Sequence, residues 1–438
     1  MRRPVAILVA AAALALALGD EGLATEPWSL TPLGIRGKAV FKDFAHFEDT
    51  PTDNRHLRQE GLLQVEWARQ LTPWAGFTLV GEARADDDDL TEGVTFQIPD
   101  TARRRSHLEL VEAVVRFRRD PVELTIGKQL YAWGTGDAYN PTDNINPYDY
   151  LDPIDHEKLA VYSAALHATH GPASLTLIVI PVFTPSRVPL ASSRWTPSPP
   201  SGIIDGRQLP STTFANVQFA ARARTTFHGW DVALSYFEGF ADTPVIRRSS
   251  APLPPFGTVP RFTPVFTRLQ APGLDFSTTY RNVEVHGEFA AKFVESSGAA
   301  DRLQGIAGLN YTRQLDLAWL EQIAVVLEYA REETLTTADP TILQGAAATP
   351  AALPDSAFRN AVVGRLHLTF NPSTALELTG TADLSGTLNH YVQLKMSHTF
   401  MDALRLEAGL DLFSGRRDTF WGRWADNDRF FAFLTYFF

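Results

Sequence analysis

The chain has no cysteine among its 438 residues, and positive charge is scarce, with 39 Lys and Arg against 50 Asp and Glu. The absence of cysteine excludes disulfide frameworks, thiolate metal sites and cysteine nucleophiles. The densest basic run is only Arg103-Arg104-Arg105. Because phosphate binding needs a clustered positive field, no nucleic-acid partner is expected. We also predict no cofactor.

Long apolar runs are absent after the N-terminal segment. No later stretch approaches the ~18 consecutive apolar residues of a transmembrane helix. The N-terminus combines Arg2 and Arg3 with a short apolar run from Val5 to Leu18, followed by small residues. This pattern is typical of a secretory signal peptide. We therefore predict a signal peptide over residues 1–24, cut near 19 or 24, with a retained anchor as the alternative.

From about residue 33, apolar and polar residues alternate with a period of two. Leu63, Val65 and Trp67, for example, alternate with Gln64 and Glu66. Similar runs recur to the end of the chain, each lasting roughly nine to thirteen residues, the length of a tilted strand that crosses a bilayer. One face of each strand is therefore expected to contact lipid and the other water.

The connections between these runs alternate between short turns and long polar loops. The long loops are expected near 87–105, 133–158, 184–211, 241–271, 333–357 and 414–428. The rhythm predicts an all-β fold for residues 25–438: a single transmembrane antiparallel β-barrel of about 18 strands (16–18), with short periplasmic turns and long extracellular loops. Strands are predicted to begin near 33, 57, 75, 106, 122, 159, 173, 212, 230, 272, 283, 303, 321, 358, 374, 388, 403 and 429. The short connection at 385–387 breaks the rhythm, so we expect one missed or extra hairpin there.

The last strand ends on a C-terminal Phe, and its alternate residues are apolar. This face resembles the terminal signal read by the machinery that folds outer-membrane barrels, and its residues are Phe430, Leu434, Tyr436 and Phe438. The expected location is the outer membrane of a Gram-negative bacterium, and the expected partners are outer-membrane lipid and the barrel-assembly machinery. An aromatic strand of a secreted β-sandwich is the alternative.

A barrel of this size leaves an aqueous lumen unless a loop enters it. The strand residues predicted to line the lumen are Arg116, Arg118, Arg222, Arg224, Glu284, Glu288, Lys292, Arg365, Lys395 and Arg405. Further polar residues of both signs share these faces, so strong ion selectivity is not expected. Five tryptophans fall near strand ends and suit an interfacial girdle, with an inward position as the alternative for Trp133: Trp67, Trp74, Trp133, Trp230 and Trp319.

The segment 127–149 departs from ordinary barrel sequence. Its candidate lumen residues are Lys128, Trp133, Asp137, Asn140, Asp143, Asn146 and Asp149. Asn and Asp beside Pro form ordered turns, so the loop is expected to be rigid. It either folds into the lumen and narrows it, caps the barrel, or binds calcium through Asp137, Asp143 and Asp149. Lys128 lies on an apolar strand face, so it either snorkels or the strand bulges there.

The same segment contains four short motifs: Gly127-Lys128-Gln129, Trp133-Gly134, Asn140-Pro141-Thr142-Asp143 and Asn146-Pro147. They resemble the Gly-Arg-Gln strand, Trp-Gly turn and Asn-Pro loop of a porin-like outer-membrane barrel family of unknown function. The stretch from Ile180 to Pro189 is similar to that family's next outer hairpin. Lys128 replaces the family's usual Arg, which removes the bidentate fork.

The resemblance implies an outer-membrane barrel that is often encoded near inner-membrane exporters, without an established substrate. An inner-membrane or periplasmic exporter component is therefore a further expected partner. A weaker similarity, in size and strand count, is to alginate-export barrels. Those barrels would be expected to have a strongly basic lumen, which this mixed-charge wall does not show.

The leading hypothesis for function is a porin-like channel, or the exit conduit of an export system, that passes a small solute, a lipid-like substrate or a polymer. An adhesive or scaffold barrel that acts through its outer loops is the alternative. An outer-membrane hydrolase would draw on His286, His367, His390 and His398. No Gly-x-Ser-x-Gly or His-Glu-x-x-His motif is present, so we predict that the protein is not an enzyme.

Overall fold

A computed structural model describes residues 34–95, 98, 100–196, 202–252, 255, 257–295, 298–343 and 357–438. The predicted signal peptide, residues 1–24, lies outside the described residues. Among the described residues, no helix has the length and apolar character that a bilayer crossing requires. Regular structure is almost entirely strand, with short 3-10 turns at Phe214–Asn216 and Gly422–Asn427.

Eighteen long strands form the fold. They are β1 (Ile35–His46), β2 (Leu57–Thr72), β3 (Ala75–Asp86), β4 (Leu108–Arg119), β5 (Val122–Gln129), β6 (Val161–His170), β7 (Ala173–Ile180), β8 (Gln218–Phe227), β9 (Trp230–Phe240), β10 (Arg268–Tyr280), β11 (Val283–Val294), β12 (Arg302–Leu317), β13 (Leu320–Thr334), β14 (Asn360–Asn371), β15 (Thr374–Asp383), β16 (Asn389–Phe400), β17 (Leu404–Ser414) and β18 (Arg429–Phe437). Each pairs antiparallel with the next strand along the chain.

The sheet closes because the last strand pairs with the first. In the β1–β18 ladder, Lys38 lies opposite Phe437 and His46 lies opposite Arg429. A closed ladder leaves no edge strand, so the backbone N–H and C=O groups of the wall are satisfied within the sheet, as hydrocarbon requires. The prediction of a single antiparallel barrel of about 18 strands is confirmed.

All eighteen predicted strands are present, and each begins within six residues of its predicted start. The expectation of a missed or extra hairpin near 385–387 is wrong. Asp383 accepts the backbone N–H of Ser385 at 2.8 Å and a side-chain N–H of Asn389 at 3.3 Å, so a tight, side-chain-bonded turn joins β15 to β16.

One predicted loop contains regular structure that the sequence pattern did not indicate. Within 241–271, Val245–Pro252 and Thr258–Val265 pair as a hairpin. The short strands Ile203–Ile204 and Ile342–Leu343 extend it into a four-stranded outer sheet. The alternation is weak here, and Arg247 and Arg248 are neighbours on one of its strands.

The outward face of the barrel is apolar and exposed, whereas the inward face is polar. On β11, Val285, Phe289 and Phe293 are exposed, and the intervening His286 and Glu288 are buried. The pattern matches lipid outside and polar groups inside. Exposed aromatic side chains cluster beside the short turns, namely Trp67, Trp74, Trp230, Tyr280 and Trp319.

Candidate functional site

The connection between β5 and β6, residues 130–160, folds inside the barrel and is called the inner loop below. Its first arm bonds to inward side chains of β11, β13 and β14. Its second arm bonds to inward side chains of β1, β2, β3 and β18. These strands lie on different sides of the barrel, so the inner loop crosses the lumen.

Glu288 on β11 holds the first arm. Its carboxylate accepts the backbone N–H of Thr135 at 2.9 Å and of Thr142 at 2.7 Å, and the Thr142 hydroxyl donates to it at 2.8 Å. The Gly136 N–H adds a longer contact at 3.4 Å. Hydrogen bonds to a carboxylate are stronger than neutral ones, so one buried side chain fixes both ends of the turn at 135–142.

A second buried carboxylate binds the adjacent residues. Glu328 on β13 accepts the backbone N–H of Asp137 at 2.6 Å and of Ala138 at 3.1 Å. The His286 Nε2 lies 2.9 Å from the same carboxylate. The side chain of Asp137 in turn accepts from Arg365 at 2.5 Å. The tip of the inner loop is therefore bonded to three strands of the far wall, β11, β13 and β14.

The Trp-Gly motif permits this approach. Gly134 has a φ of +96°, a conformation that side chains other than glycine rarely adopt. A side-chain carbon at Gly134 would collide with the carboxylate of Glu288 and the side chain of Asn140. Trp133 next to it is buried among apolar wall residues, including Ile178 and Phe237. The motif thus combines an apolar anchor with a close backbone contact.

The second arm is held by buried ion pairs. Asp149 lies 3.0 Å from Arg105 and 3.1 Å from Arg187. Asp152 lies 3.0 Å from Arg58 and 2.5 Å from Arg429. Burial alone would raise the pKa of Asp149, but the two guanidinium groups more than offset this and hold the pKa below its usual range. Asp149 is therefore ionised at neutral pH.

The described parts of the loop after β7, residues 181–196 and 202–217, are called the cap loop, and residues 187–195 reach from the inner loop to β17. Its Trp195 packs edge-on against Phe413 on β17 and against Trp424, at ring distances of 5.8 and 5.9 Å. Arg194 donates to the side chain of Asn427 at 2.7 Å. The cap loop also supplies Arg187 to the second arm, so the two stretches that carry the family resemblance contact each other directly.

Solvent also reaches the inward faces of β14 and β17. Charged side chains there are partly exposed, as Arg365 (38%) and Arg405 (42%) show, whereas Glu60 and Arg84 on β2 and β3 are almost fully buried. A cavity of about 410 Å³ opens beneath Asp155 of the inner loop, between β1, β2 and β16 to β18. Water thus reaches one side of the barrel below the loop.

The other predicted lumen residues are spread over the inner wall. Most form local ion pairs: Arg116 with Glu123 at 3.1 Å, Arg118 with Asp120 at 3.3 Å, Arg222 with Asp275 at 2.7 Å, Arg224 with Asp231 at 3.0 Å, Lys395 with Glu377 at 3.0 Å and Arg405 with Glu407 at 3.1 Å. Glu284 and Lys292 lie on the inward face of β11. Both signs are balanced locally along the wall.

Two predicted loop residues, Asn146 and Asp143, are structural within the loop itself. Asn146 accepts the backbone N–H of Tyr131 at 2.7 Å and donates to the Leu159 carbonyl at 2.8 Å. Asp143 pairs with Lys158. Asp137, Asp143 and Asp149 therefore have three different basic partners, and they form no common oxygen site among the described residues.

Lys128 is buried and reaches the lumen-side carboxylate of Glu109 at 3.2 Å and the Leu110 carbonyl at 2.8 Å. The β3–β4 register shifts between Val80 and Gly81, beside this contact. The extra residue of this bulge, Val111, lies on the neighbouring strand β4, and the β4–β5 ladder that contains Lys128 has no register shift. Phe430, Leu434 and Phe438 point outward and are exposed, with Tyr436 on the same face.

The four candidate histidines do not converge. His286 and His367 lie on inward faces of β11 and β14, where His367 is 3.4 Å from Glu377. His390 and His398 occupy the opposite, outward register of β16, and His398 bonds to Thr374 at 2.8 Å. This arrangement does not assemble a nucleophile with a base.

Several residues that build the site were not identified from the sequence. They are Arg58, Arg84, Arg105, Asp152, Arg187, Glu328 and Arg429. For those residues that lie on strands, the alternation of polar and apolar residues predicts that the side chain faces inward. Their partners could not be predicted, because the pairs join loops to distant strands.

No family model and no curated protein matches the chain. Among solved structures, it is similar to OccK11 (OpdR) of Pseudomonas aeruginosa, at 12% identity, with 92% of this chain and 95% of that chain covered and a TM-score of 0.47. It is also similar to a triple mutant of the Rhodopseudomonas blastica porin, at 10% identity, with 92% and 99% covered and a TM-score of 0.42. The barrel assignment rests on this chain's own strand ladders.

Proposed function

We propose that this protein is a channel in the outer membrane of a Gram-negative bacterium that passes small hydrophilic solutes. The supporting observation is the combination of a closed barrel, an apolar outer face and an inner loop that bonds to both sides of a polar lumen. Passage in such a channel depends on the lumen width and on the charges of its wall. No chemical step is required.

The wall charges support weak ion selectivity. Arg365 is paired with Asp137, and Lys395 and Arg405 also have acidic partners within 3.1 Å. Because neighbouring charges of opposite sign cancel at a distance, a permeating ion meets no strong net field of either sign. Neutral solutes and small ions of both signs should therefore pass.

The exit conduit of an export system is the finer hypothesis that the family resemblance implies. The inner loop and the cap loop both cross the lumen, which favours a small solute over a bulky polymer. An exporter component in the inner membrane or periplasm would then meet the short-turn end, where both chain ends of the barrel lie. Recognition of the outward Phe430 and Phe438 by the assembly machinery belongs to the same proposal.

The proposal is tested by reconstituting the purified full-length protein into liposomes and measuring swelling in sugars of increasing size. We expect swelling in monosaccharides that declines steeply with solute size, and a reversal potential near zero in a salt gradient. Liposomes with heat-unfolded protein are the control. Liposomes that contain the folded barrel yet stay impermeable to every solute would contradict the proposal.

A further inference from the structure

The cavity beneath the inner loop has an unusual wall. Its volume is about 410 Å³, which is within the range of small-molecule sites. Asp155 and its neighbour Ile154 form the roof, and β18 supplies one complete side. The ion pair between Lys42 and Asp155, at 2.6 Å, fixes the roof to β1.

Two aromatic residues of β18, Phe433 and Phe437, line this cavity, and the Phe433 ring is half-buried against Phe44 and Phe431. Both residues are on the inward register of β18. Phe433 lies between Lys42 on β1 and Glu407 on β17, and Phe437 lies opposite Lys38 on β1. Phe437 is 43% exposed. The outward face of the same strand, with Phe430 and Leu434, already provides the apolar contact with lipid, so membrane insertion does not explain the inward rings.

Several other strands of the barrel, among them the adjacent β17, carry polar inward residues toward their short turns. Their inward residues toward the short-turn end are Asn310, Thr312 and Gln314 on β12, His367 and Thr369 on β14, Ser397 and Thr399 on β16, and Arg405 and Glu407 on β17. Phe433 and Phe437 therefore form an aromatic strip in a polar wall. Such a strip indicates a ligand-binding surface, because an exposed ring is unfavourable in water unless a ligand covers it.

The charges around the strip favour an anion. The four acidic lining residues, Asp155, Glu157, Glu407 and Asp411, each have a basic partner within 3.1 Å. No carboxylate among the described residues forms an ion pair with Lys38. Lys38 lies next to Phe437 across the β1–β18 ladder, so an unpaired cation and an exposed ring are adjacent.

We propose that this cavity binds a small amphipathic organic monoanion, with its apolar ring against Phe433 and Phe437 and its anionic group near Lys38 and Arg405. The inference rests on the proposed channel function and assigns a preferred class of solute to it. Ring contacts hold the body of the solute, and the cations hold the head. Such a solute would dwell in the lumen, whereas a ring-free anion would pass.

The test records the current through single channels of the full-length protein in planar bilayers. 1-Naphthalenesulfonate is compared with methanesulfonate, which has the same head and no ring. We expect concentration-dependent interruptions of the current with the aromatic anion alone. Phe433→Ser and Lys38→Gln should each weaken this block about fivefold. Arg224→Gln, which removes a lumen cation on β8 paired with Asp231, should leave it unchanged.

Heat-modifiable gel mobility shows that each variant is folded. Phe433→Leu, which removes the ring and keeps an apolar side chain, serves if Phe433→Ser does not assemble, and it should also weaken the block. Two results would overturn this binding inference but not the channel proposal. One is normal conductance with equal effects of both anions, and the other is an unchanged block in both Phe433 variants. A folded protein without conductance in any solute would overturn the channel proposal itself.

Discussion

The carboxylate of Glu288 accepts the backbone N–H of Thr142 at 2.7 Å, although 146 positions separate the two residues. The same carboxylate accepts from Thr135, so one wall residue closes the turn of the inner loop. Breaking bonds between charged and neutral groups costs about 1.5–3 kcal/mol each. Glu288 therefore holds both ends of the turn at 135–142 against β11.

Glu288→Gln tests this role. The amide keeps the shape of the side chain, but its NH₂ group faces donors and cannot accept from them. We expect a larger and noisier single-channel conductance, because the loop at 135–142 is released. Glu284→Gln, on the same inward face of β11, is the matched control and should conduct like the wild type. Equal conductance of the two variants would show that Glu288 does not hold the loop.

Gly134→Ala tests the close backbone contact from the other side. A methyl group at Gly134 collides with Glu288 and Asn140, and the φ of +96° is unfavourable for Ala. Gly257 in the outer hairpin has a similar φ of +92° but open space around it. We expect Gly134→Ala to raise conductance and Gly257→Ala to leave it unchanged. The same effect in both would mean that backbone strain, not the contact, matters.

Arg429→Met tests the ion pairs that hold the second arm. Arg429 is buried between Asp152 and Asp411, at 2.5 and 2.7 Å. Removing it leaves the buried Asp411 without its cation and Asp152 with Arg58 alone, so the free energy of unfolding should fall by about 3–5 kcal/mol. Arg116→Met breaks an exposed pair with Glu123 and should cost about 1 kcal/mol or less. The free energy of unfolding of both variants is measured by denaturant titration in lipid. Equal losses of stability would show that the buried Arg429 pairs do not hold the second arm.

Leu378→Arg tests which face of the wall meets lipid. Leu378 on β15 points outward and is exposed, whereas Thr379 beside it points into the lumen. A cation at mid-bilayer costs about 2–4 kcal/mol. We expect Leu378→Arg to lower the yield of folded barrel in the membrane fraction and Thr379→Arg to preserve it. The reverse order would invert the inside and the outside of the barrel.

The strands were predictable from the sequence because lipid and water impose opposite polarity on alternate residues. Leu378 and Thr379 differ for this reason, and the same contrast recurs on every strand. Loop conformation follows no such period. The hairpin at 245–265 was therefore assigned to irregular loop, although its strands pair in full register.

The candidate site was predictable only in part. The sequence singles out the segment from Trp133 to Asp149, and this segment bonds to inward side chains of β11, β13 and β14. Its anchors could not be deduced, because the Arg429–Asp152 pair joins residues 277 positions apart. Alternation shows that Arg429 faces inward, but only the closed barrel shows which loop it meets.

The central claim is that a water-filled barrel is narrowed by the inner loop, and deletion of residues 137–147 tests it most directly. The single-channel conductance of the full-length protein and of the deletion variant is measured in the same planar bilayers and salt. The account predicts discrete steps for the intact protein and clearly larger steps for the variant. Equal steps from two folded barrels would contradict it.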